Sequence, residues 1–124
     1  MKQDYHNTHL GDISINNDVI KNIAFKAAIE VGGICATDMG YFGKIVNKLT
    51  RKGAAAHDVK LEFPSETEVK IILRLTIGYG INIPEAASTV QENVKSAVEH
   101  MTGLTVNEVI VKITGMRDQK EAEK

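Results

Sequence analysis

The feature that most restricts the fold of this chain is the stretch EVKIILRLTIGYG, in which apolar and polar residues alternate along most of its length. A period of two predicts a β-strand with one buried face and one exposed face. The residues predicted to face the core are Val69, Ile71, Leu73, Leu75, Ile77 and Tyr79. The residues predicted to face the other way are Lys70, Ile72, Arg74 and Thr76. A strand of this kind needs a second layer to cover its apolar side.

A shorter alternating run, VKLEF, precedes this strand, and a turn separates the two. Val59, Leu61 and Phe63 are predicted to lie on one face of the shorter run. The intervening PSET is typical of a turn, because proline and serine favour turn geometry. Two alternating runs that a short turn joins predict an antiparallel hairpin.

Two stretches have the period of an amphipathic helix. In IPEAASTVQENVKSAVEHMTG, Pro84 suits the first turn and Gly103 suits the end of the helix. Its predicted apolar stripe comprises Ile83, Ala87, Val90, Val94, Ala97, Val98 and Met101. The earlier NNDVIKNIAFKAAIEVGG predicts a helix that Asn16 or Asn17 caps and that Gly32-Gly33 ends.

A third alternating run, TVNEVIVKI, follows the later helix. Its predicted faces are Val109, Val111 and Ile113 on one side, and Glu108, Ile110 and Lys112 on the other. GDISI predicts a further short strand before the first helix, and ICAT predicts a weak strand after it. We therefore expect an α+β fold with two layers: a mostly antiparallel sheet of three to five strands, with two amphipathic helices on one face.

The elements are predicted to form one domain. We expect this domain to span residues 11–116, after a flexible tail at 1–10 and before a charged tail at 117–124. The segment Asp38–Asp58 is punctuated by glycines and is expected to be the most variable part of the chain.

Composition limits the functions that this domain can have. The 124 residues carry a net charge of −1 and include no tryptophan, so the chain has no general attraction to nucleic acid or to an anionic membrane. No stretch approaches the roughly 20 apolar residues of a membrane-spanning helix, so direct membrane insertion is not expected. The single cysteine, Cys35, cannot form an internal disulfide, which favours a reducing compartment. We expect a cytoplasmic protein.

Residues that often carry chemistry are present, but their pattern favours structural roles. Cys35 lies between two apolar residues, which is typical of a small buried side chain. His6 and His9 have no further ligands at a spacing that is typical of a metal site. His100 lies near the end of a predicted helix, where a cationic ring suits the helix dipole. The chain has no phosphate-binding loop or nucleophile motif, so we predict no catalytic residue, no cofactor and no metal site.

Two alternative functions are also compatible with parts of the sequence. Gly40–Gly43, GYFG, has the G-x-x-G pattern of the loop with which KH domains clamp the RNA backbone, although its middle residues are aromatic and not basic. The basic residues that follow it are Lys44, Lys48, Arg51 and Lys52. The other alternative is a small enzyme or ligand-binding domain that uses Asp38–Asp58, for which a deep polar pocket near Cys35 and His57 would be the sign.

The later part of the chain resembles the alkaline shock protein family, also called Gls-type envelope stress response proteins. The resemblance is carried by YGINIPEAASTVQENVKSAVEHMTGLTVNEVIVKITGM, from Tyr79 to Met116. Its most specific parts are Tyr79-Gly80, Ile83-Pro84, Val90–Val94 and Met101–Gly103. The earlier GDISINNDVIKNIAFKAAIEVGGI is similar to the opening strand and helix of the family.

This resemblance implies a small, non-enzymatic cytoplasmic protein of Gram-positive bacteria that serves the response to cell-envelope stress. It also implies partners of two kinds: further copies of the chain, and a membrane-anchored protein. One branch of the family is tied to lipid metabolism. No catalytic residue is implied. From the residues themselves we predict one protein-contact patch on the outer sheet face, because two apolar side chains lie there among charged ones. The patch comprises Lys70, Ile72, Arg74, Glu108, Ile110 and Lys112.

Overall fold

The computed structural model describes residues 2–8, 10–35 and 58–118. The helices are α1 (Asn17–Ile29) and α2 (Ile83–Thr102). The strands are β1 (Lys2–Thr8), β2 (Gly11–Asn16), β3 (Ile34–Cys35), β4 (Val59–Ser65), β5 (Glu68–Gly78) and β6 (Thr105–Arg117). The predicted α+β class is confirmed.

Strand β5 lies at the centre of a four-stranded sheet. Along one edge it pairs antiparallel with β4, where Val59 is opposite Leu73, and with β3, where Ile34 is opposite Ile77. The predicted hairpin of β4 and β5 is therefore confirmed. Along the other edge β5 pairs with β6, and this pairing is parallel because α2 returns the chain to the same end of the sheet. The remaining pairings are antiparallel.

Both helices cover one face of this sheet and form the core with it. On β5, every second residue from Val69 to Ile77 is buried with at most 2% of its surface exposed, as the alternation predicts. On α2 the buried residues recur at every fourth position and comprise Ala86, Val90, Val94, Val98 and Thr102. The prediction is wrong at the ends of this stripe: Ile83 and Met101 are 40% and 64% exposed, and Ala86 and Thr102 are buried instead.

The two helices also contact each other closely. Helix α1 buries Ile20 and three alanines, whose small side chains let another helix approach. At this contact the Asn93 side-chain amide of α2 donates a hydrogen bond of 2.7 Å to the Ala27 carbonyl of α1. The bond satisfies a polar side chain in a partly buried place and fixes one helix along the other.

Local signals in the sequence set the ends of the helices. The Asn16 side-chain oxygen accepts a hydrogen bond from the Asp18 backbone N–H at 2.8 Å, so Asn16, of the two predicted candidates, caps α1. The Asn82 side chain caps α2 in the same way through the Glu85 N–H at 3.0 Å. Gly103 ends α2 with a φ of 79°, a left-handed conformation that glycine adopts without strain.

The structure differs from the prediction at two further places, and a third part of the sequence lies outside the residues that it describes. Lys2–Thr8 form β1, paired antiparallel with β2, where a flexible tail was expected. Tyr79 is 74% exposed and does not face the core, because β5 ends at Gly78. Except for Asp58, the segment Asp38–Asp58 lies outside the described residues, as does the charged tail from residue 119 onward. The domain boundaries stay a prediction.

The two faces of β5 make a direct test of this arrangement. We expect Leu73→Ala to lower the free energy of unfolding by about 2–5 kcal/mol, because Leu73 is fully buried and its truncation leaves a cavity. Its neighbour Ile72 lies half-buried on the opposite face, so Ile72→Ala is expected to cost roughly 1 kcal/mol or less. Urea unfolding of both variants measures the difference, and equal losses would contradict the assignment of faces.

Candidate functional site

The six residues of the predicted patch lie together on the side of the sheet that the helices leave uncovered. They form three cross-strand pairs between β5 and β6: Lys70 with Glu108, Ile72 with Ile110, and Arg74 with Lys112. We call this surface the outer face and add to it Lys60 and Glu62 of β4, which pair with Ile72 and Lys70. The structure thus brings together all six residues that the sequence singled out.

An extra residue in β6 creates this alignment. Val106 is opposite Val69, but Glu108 is opposite the next residue, Lys70, so Asn107 forms a β-bulge with no partner of its own. Because of the bulge, Val106 and Val109 are both buried although they are three positions apart, a spacing that would place them on opposite faces of a regular strand. The residues after the bulge alternate in step with β5, which places Glu108 on the outer face.

The first row of the outer face is acidic, because its two carboxylates, Glu62 and Glu108, share one cation, Lys70. Lys70 Nζ lies 3.8 Å from Glu62 Oε1 and 3.7 Å from Glu108 Oε1. Lys70 thus bridges β4 and β6 across β5. The side chain of Glu108 remains 60% exposed, so it is available to a further positive partner. Ion pairs at such exposed positions contribute little to stability, typically about 0–1 kcal/mol, so their main effect is on the charge of the surface.

The middle row is apolar where it crosses β5 and β6. Ile72 and Ile110 are opposite each other and half-buried, and both lie outside the set of apolar residues that pack on the core. Lys60, on the far side of Ile72, is exposed and can lay its methylene groups along that isoleucine. Two apolar side chains between charged rows are a common composition for a contact surface, and lone surface isoleucines are also common.

The third row is basic. Arg74 and Lys112 are exposed, opposite each other, and form no ion pair with any residue that the structure describes. Asp58, which precedes β4, is half-buried, so the exposed side chains at this end of the outer face are those of Arg74 and Lys112. Along the direction of β5 the outer face therefore runs from acidic through apolar to basic.

The edge of the sheet beside this face is partly occupied by α2. The Gln91 side-chain amide donates a hydrogen bond of 2.9 Å to the Val109 carbonyl, and the Glu99 carboxylate accepts one of 2.9 Å from the Val106 N–H. Both backbone groups belong to β6, which has no strand beyond it in the described part of the chain. An open groove of about 450 Å³ remains between α2 and β6.

The residues weighed for chemistry do not come together in the described structure. Cys35 is half-buried and lies opposite Thr76. Burial raises the pKa of the Cys35 thiol, and the positive charge of Arg117 offsets part of that rise. His100 is exposed at the end of α2. Nowhere in residues 10–35 and 58–118 do three or more His, Cys, Asp or Glu side chains lie close enough to hold a metal ion.

Several residues considered in the sequence fall outside the part that the structure describes. These are His9, His57, the Gly40–Gly43 motif and the basic residues that follow it. Lys60 and Glu62 were missed for a different reason. The β4–β5 pairing contains an irregularity between Glu62 and Ser65, so the register of the hairpin cannot be counted back from its turn.

Comparison with known proteins gives a consistent result over nearly the whole chain. The sequence model of the ASP23 (alkaline shock protein 23) family, described as having a cell envelope-related function, matches residues 5–118. The uncharacterized protein YqhY of Bacillus subtilis (strain 168) is 32% identical over 99% of this chain and 90% of its own length. The uncharacterized protein YloU of the same organism is 33% identical over 89% of this chain and 92% of its own length.

More distant matches include a named stress protein and a solved structure. The stress response regulator gls24 homolog of Streptococcus pyogenes is 28% identical over 92% of this chain, which spans 64% of the length of that relative. A solved structure of a point variant of MamM-CTD has a TM-score of 0.49 and 12% identity, and the match covers 82% of this chain and 100% of that one.

The pKa of Cys35 leads to a test of its reactivity. We expect iodoacetamide to alkylate Cys35 more slowly in the folded protein than in the urea-denatured chain at the same mildly alkaline pH, because burial lowers the thiolate fraction. Mass spectrometry of timed samples measures both rates. The control is Cys35→Ser with Ser96→Cys, which places the thiol on the exposed side of α2 and should react at similar rates in both states. Faster alkylation of folded Cys35 would indicate an activated thiol.

Proposed function

The chain belongs to the alkaline shock protein family of cell-envelope stress proteins, and on this premise we propose that it acts by associating with itself and by docking on a membrane-anchored partner. We propose further that it works in the cytoplasm and without catalysing a reaction. The Bacillus and Streptococcus relatives fit an origin among Gram-positive bacteria. In the described part of the chain, neither helix is long and apolar enough to cross a membrane.

The observation that carries the proposal is the composition of the outer face. A sheet face that stays in contact with water usually carries polar residues, since the other face already supplies the core. Here Ile72 and Ile110 lie opposite each other at its centre, half-buried, with charged residues on both sides along the strands. This is the arrangement of a small contact surface, with an apolar centre that loses water on binding and a charged rim.

The charges of the rim support binding to another protein. Lys70 is already paired with two carboxylates, whereas Arg74 and Lys112 are exposed and have no acidic partner among the described residues. Charged groups around an apolar centre contribute to the orientation and selectivity of a complex more than to its affinity. The family's cell envelope-related function supports a partner that is anchored in the membrane.

Acidic substitutions at the centre of the outer face test this proposal. We expect Ile72→Glu with Ile110→Glu to weaken self-association and capture of a membrane protein, because a carboxylate at the centre of a contact must lose its water on binding. Sedimentation velocity measures self-association. Crosslinking in native cells, followed by pull-down of the chain, measures partner capture, scored for membrane proteins and for the chain itself.

The matched control adds the same two charges elsewhere. Val19 on α1 and Ile83 at the start of α2 are 47% and 40% exposed, and neither belongs to the outer face. We expect Val19→Glu with Ile83→Glu to associate like the unsubstituted protein. Circular dichroism should show that both double variants stay folded. Unchanged sedimentation and unchanged capture in the outer-face variant would refute the proposal.

A further inference from the structure

We propose that two copies of the chain stack outer face against outer face with their β5 strands antiparallel, so that the acidic row of each copy meets the basic row of the other. This inference rests on the proposed self-association through the same surface and specifies its geometry. It follows from the order of charges along β5, the cross-strand pairs and the exposure of the side chains involved.

The outer face is complementary to itself when it is turned end for end. At one end lies the row of Glu62, Lys70 and Glu108, in which two carboxylates share one ammonium group. At the other end lie Arg74 and Lys112, exposed and opposite each other. The apolar row of Ile72 and Ile110 lies midway between them. A surface that is acidic at one end, basic at the other and apolar in its middle row, except for Lys60 at the β4 edge, fits its own inverted copy.

Symmetry leaves two simple ways to place two outer faces against each other. Closed dimers are related by a two-fold axis, which in face-to-face packing lies between the sheets, either along the strands or across them. An axis along the strands sets each row on the same row of the other copy. The basic row of Arg74 and Lys112 then faces the basic row of the second copy, and the two rows repel each other. An axis across the strands through the middle row sets Glu108 against Lys112 of the second copy. The charges favour the second arrangement.

The same arrangement sets Lys70 opposite Arg74 of the second copy, and the ion pairs within each chain compensate for this. Lys70 Nζ lies within 3.8 Å of a carboxylate oxygen on either side, so its charge is balanced inside its own chain. Arg74 of the second copy then approaches a row that holds one carboxylate more than it has cations. Glu108 keeps 60% of its side chain exposed for this contact. The middle row lies on the axis, so each isoleucine meets its counterpart, and the exposed Lys60 at the β4 end of that row meets Lys60 of the second copy at the edge of the contact.

Reversal of single charges tests the arrangement by sedimentation equilibrium. We expect Glu108→Lys and Lys112→Glu each to raise the dimer dissociation constant about tenfold, because each change turns two attractive pairs of the dimer into repulsive ones. An equimolar mixture of the two variants should associate as tightly as the unsubstituted chain, since every facing pair is then again one lysine and one glutamate. The double variant Glu108→Lys with Lys112→Glu should also recover association.

The control reversals lie at exposed positions of the two helices. Glu92→Lys on α2 and Lys26→Glu on α1 change the same charges at exposed positions and should leave the dissociation constant of the unsubstituted chain unchanged. Higher salt should weaken the unsubstituted dimer, because exposed ion pairs are screened.

The possible results separate this inference from the proposed function. If Ile72→Glu with Ile110→Glu abolishes association while the single charge reversals do not, the outer face is the contact but the inverted stacking is wrong. If the single reversals weaken association and their mixture does not restore it, Glu108 and Lys112 do not face each other, and the inference fails. An unsubstituted chain that stays monomeric at every accessible concentration refutes both the stacking and self-association.

Discussion

The structure depends on the burial of one face of a single strand. Strand β5 is paired along both edges, and its residues from Val69 to Ile77 alternate between the core under the helices and the outer face. Because α1 and α2 lie on the same side, this alternation decides what faces the helices and what faces away. Burial of apolar surface is the dominant favourable term in folding, so the requirement for a stable fold alone restricts the core face to apolar residues.

The outer face is consequently under a weaker constraint, and its composition is informative for that reason. Its ion pairs contribute little to stability. Its isoleucines remain half-exposed, and its basic row has no acidic partner among the described residues. The fold does not require these side chains, yet they are ordered by charge along the strand, and for this reason we propose a contact role for the surface. The proposed contact role rests on this face and on the family, and not on a pocket.

Much of this could be predicted from the sequence, because the elements near the centre are specified by strong local patterns. The alternation of β5 and the period of α2 identified both elements. Asn16 marked the start of α1, and Pro84 and Gly103 marked the start and the end of α2. The six residues of the patch were found by the same alternation. The prediction failed where tertiary pairing decides the outcome: Lys2–Thr8 have a polar sequence with no period, and they become a strand by pairing with β2. The parallel pairing of β6 likewise depends on the path of α2, which no local pattern records.

The bulge at Asn107 has a consequence for how the length of β6 can vary. A second extra residue, Thr114, lies between Ile113, which is opposite Leu75, and Gly115, which is opposite Thr76. Asn107 and Thr114 are outside the ladder of paired residues, so loss of either would leave its neighbours in regular register. An insertion or deletion between them, from Glu108 to Ile113, would exchange inward and outward side chains along the rest of the strand. The length of β6 can thus change at two points without exchanging its faces, whereas the six residues between these points keep their faces only at that length.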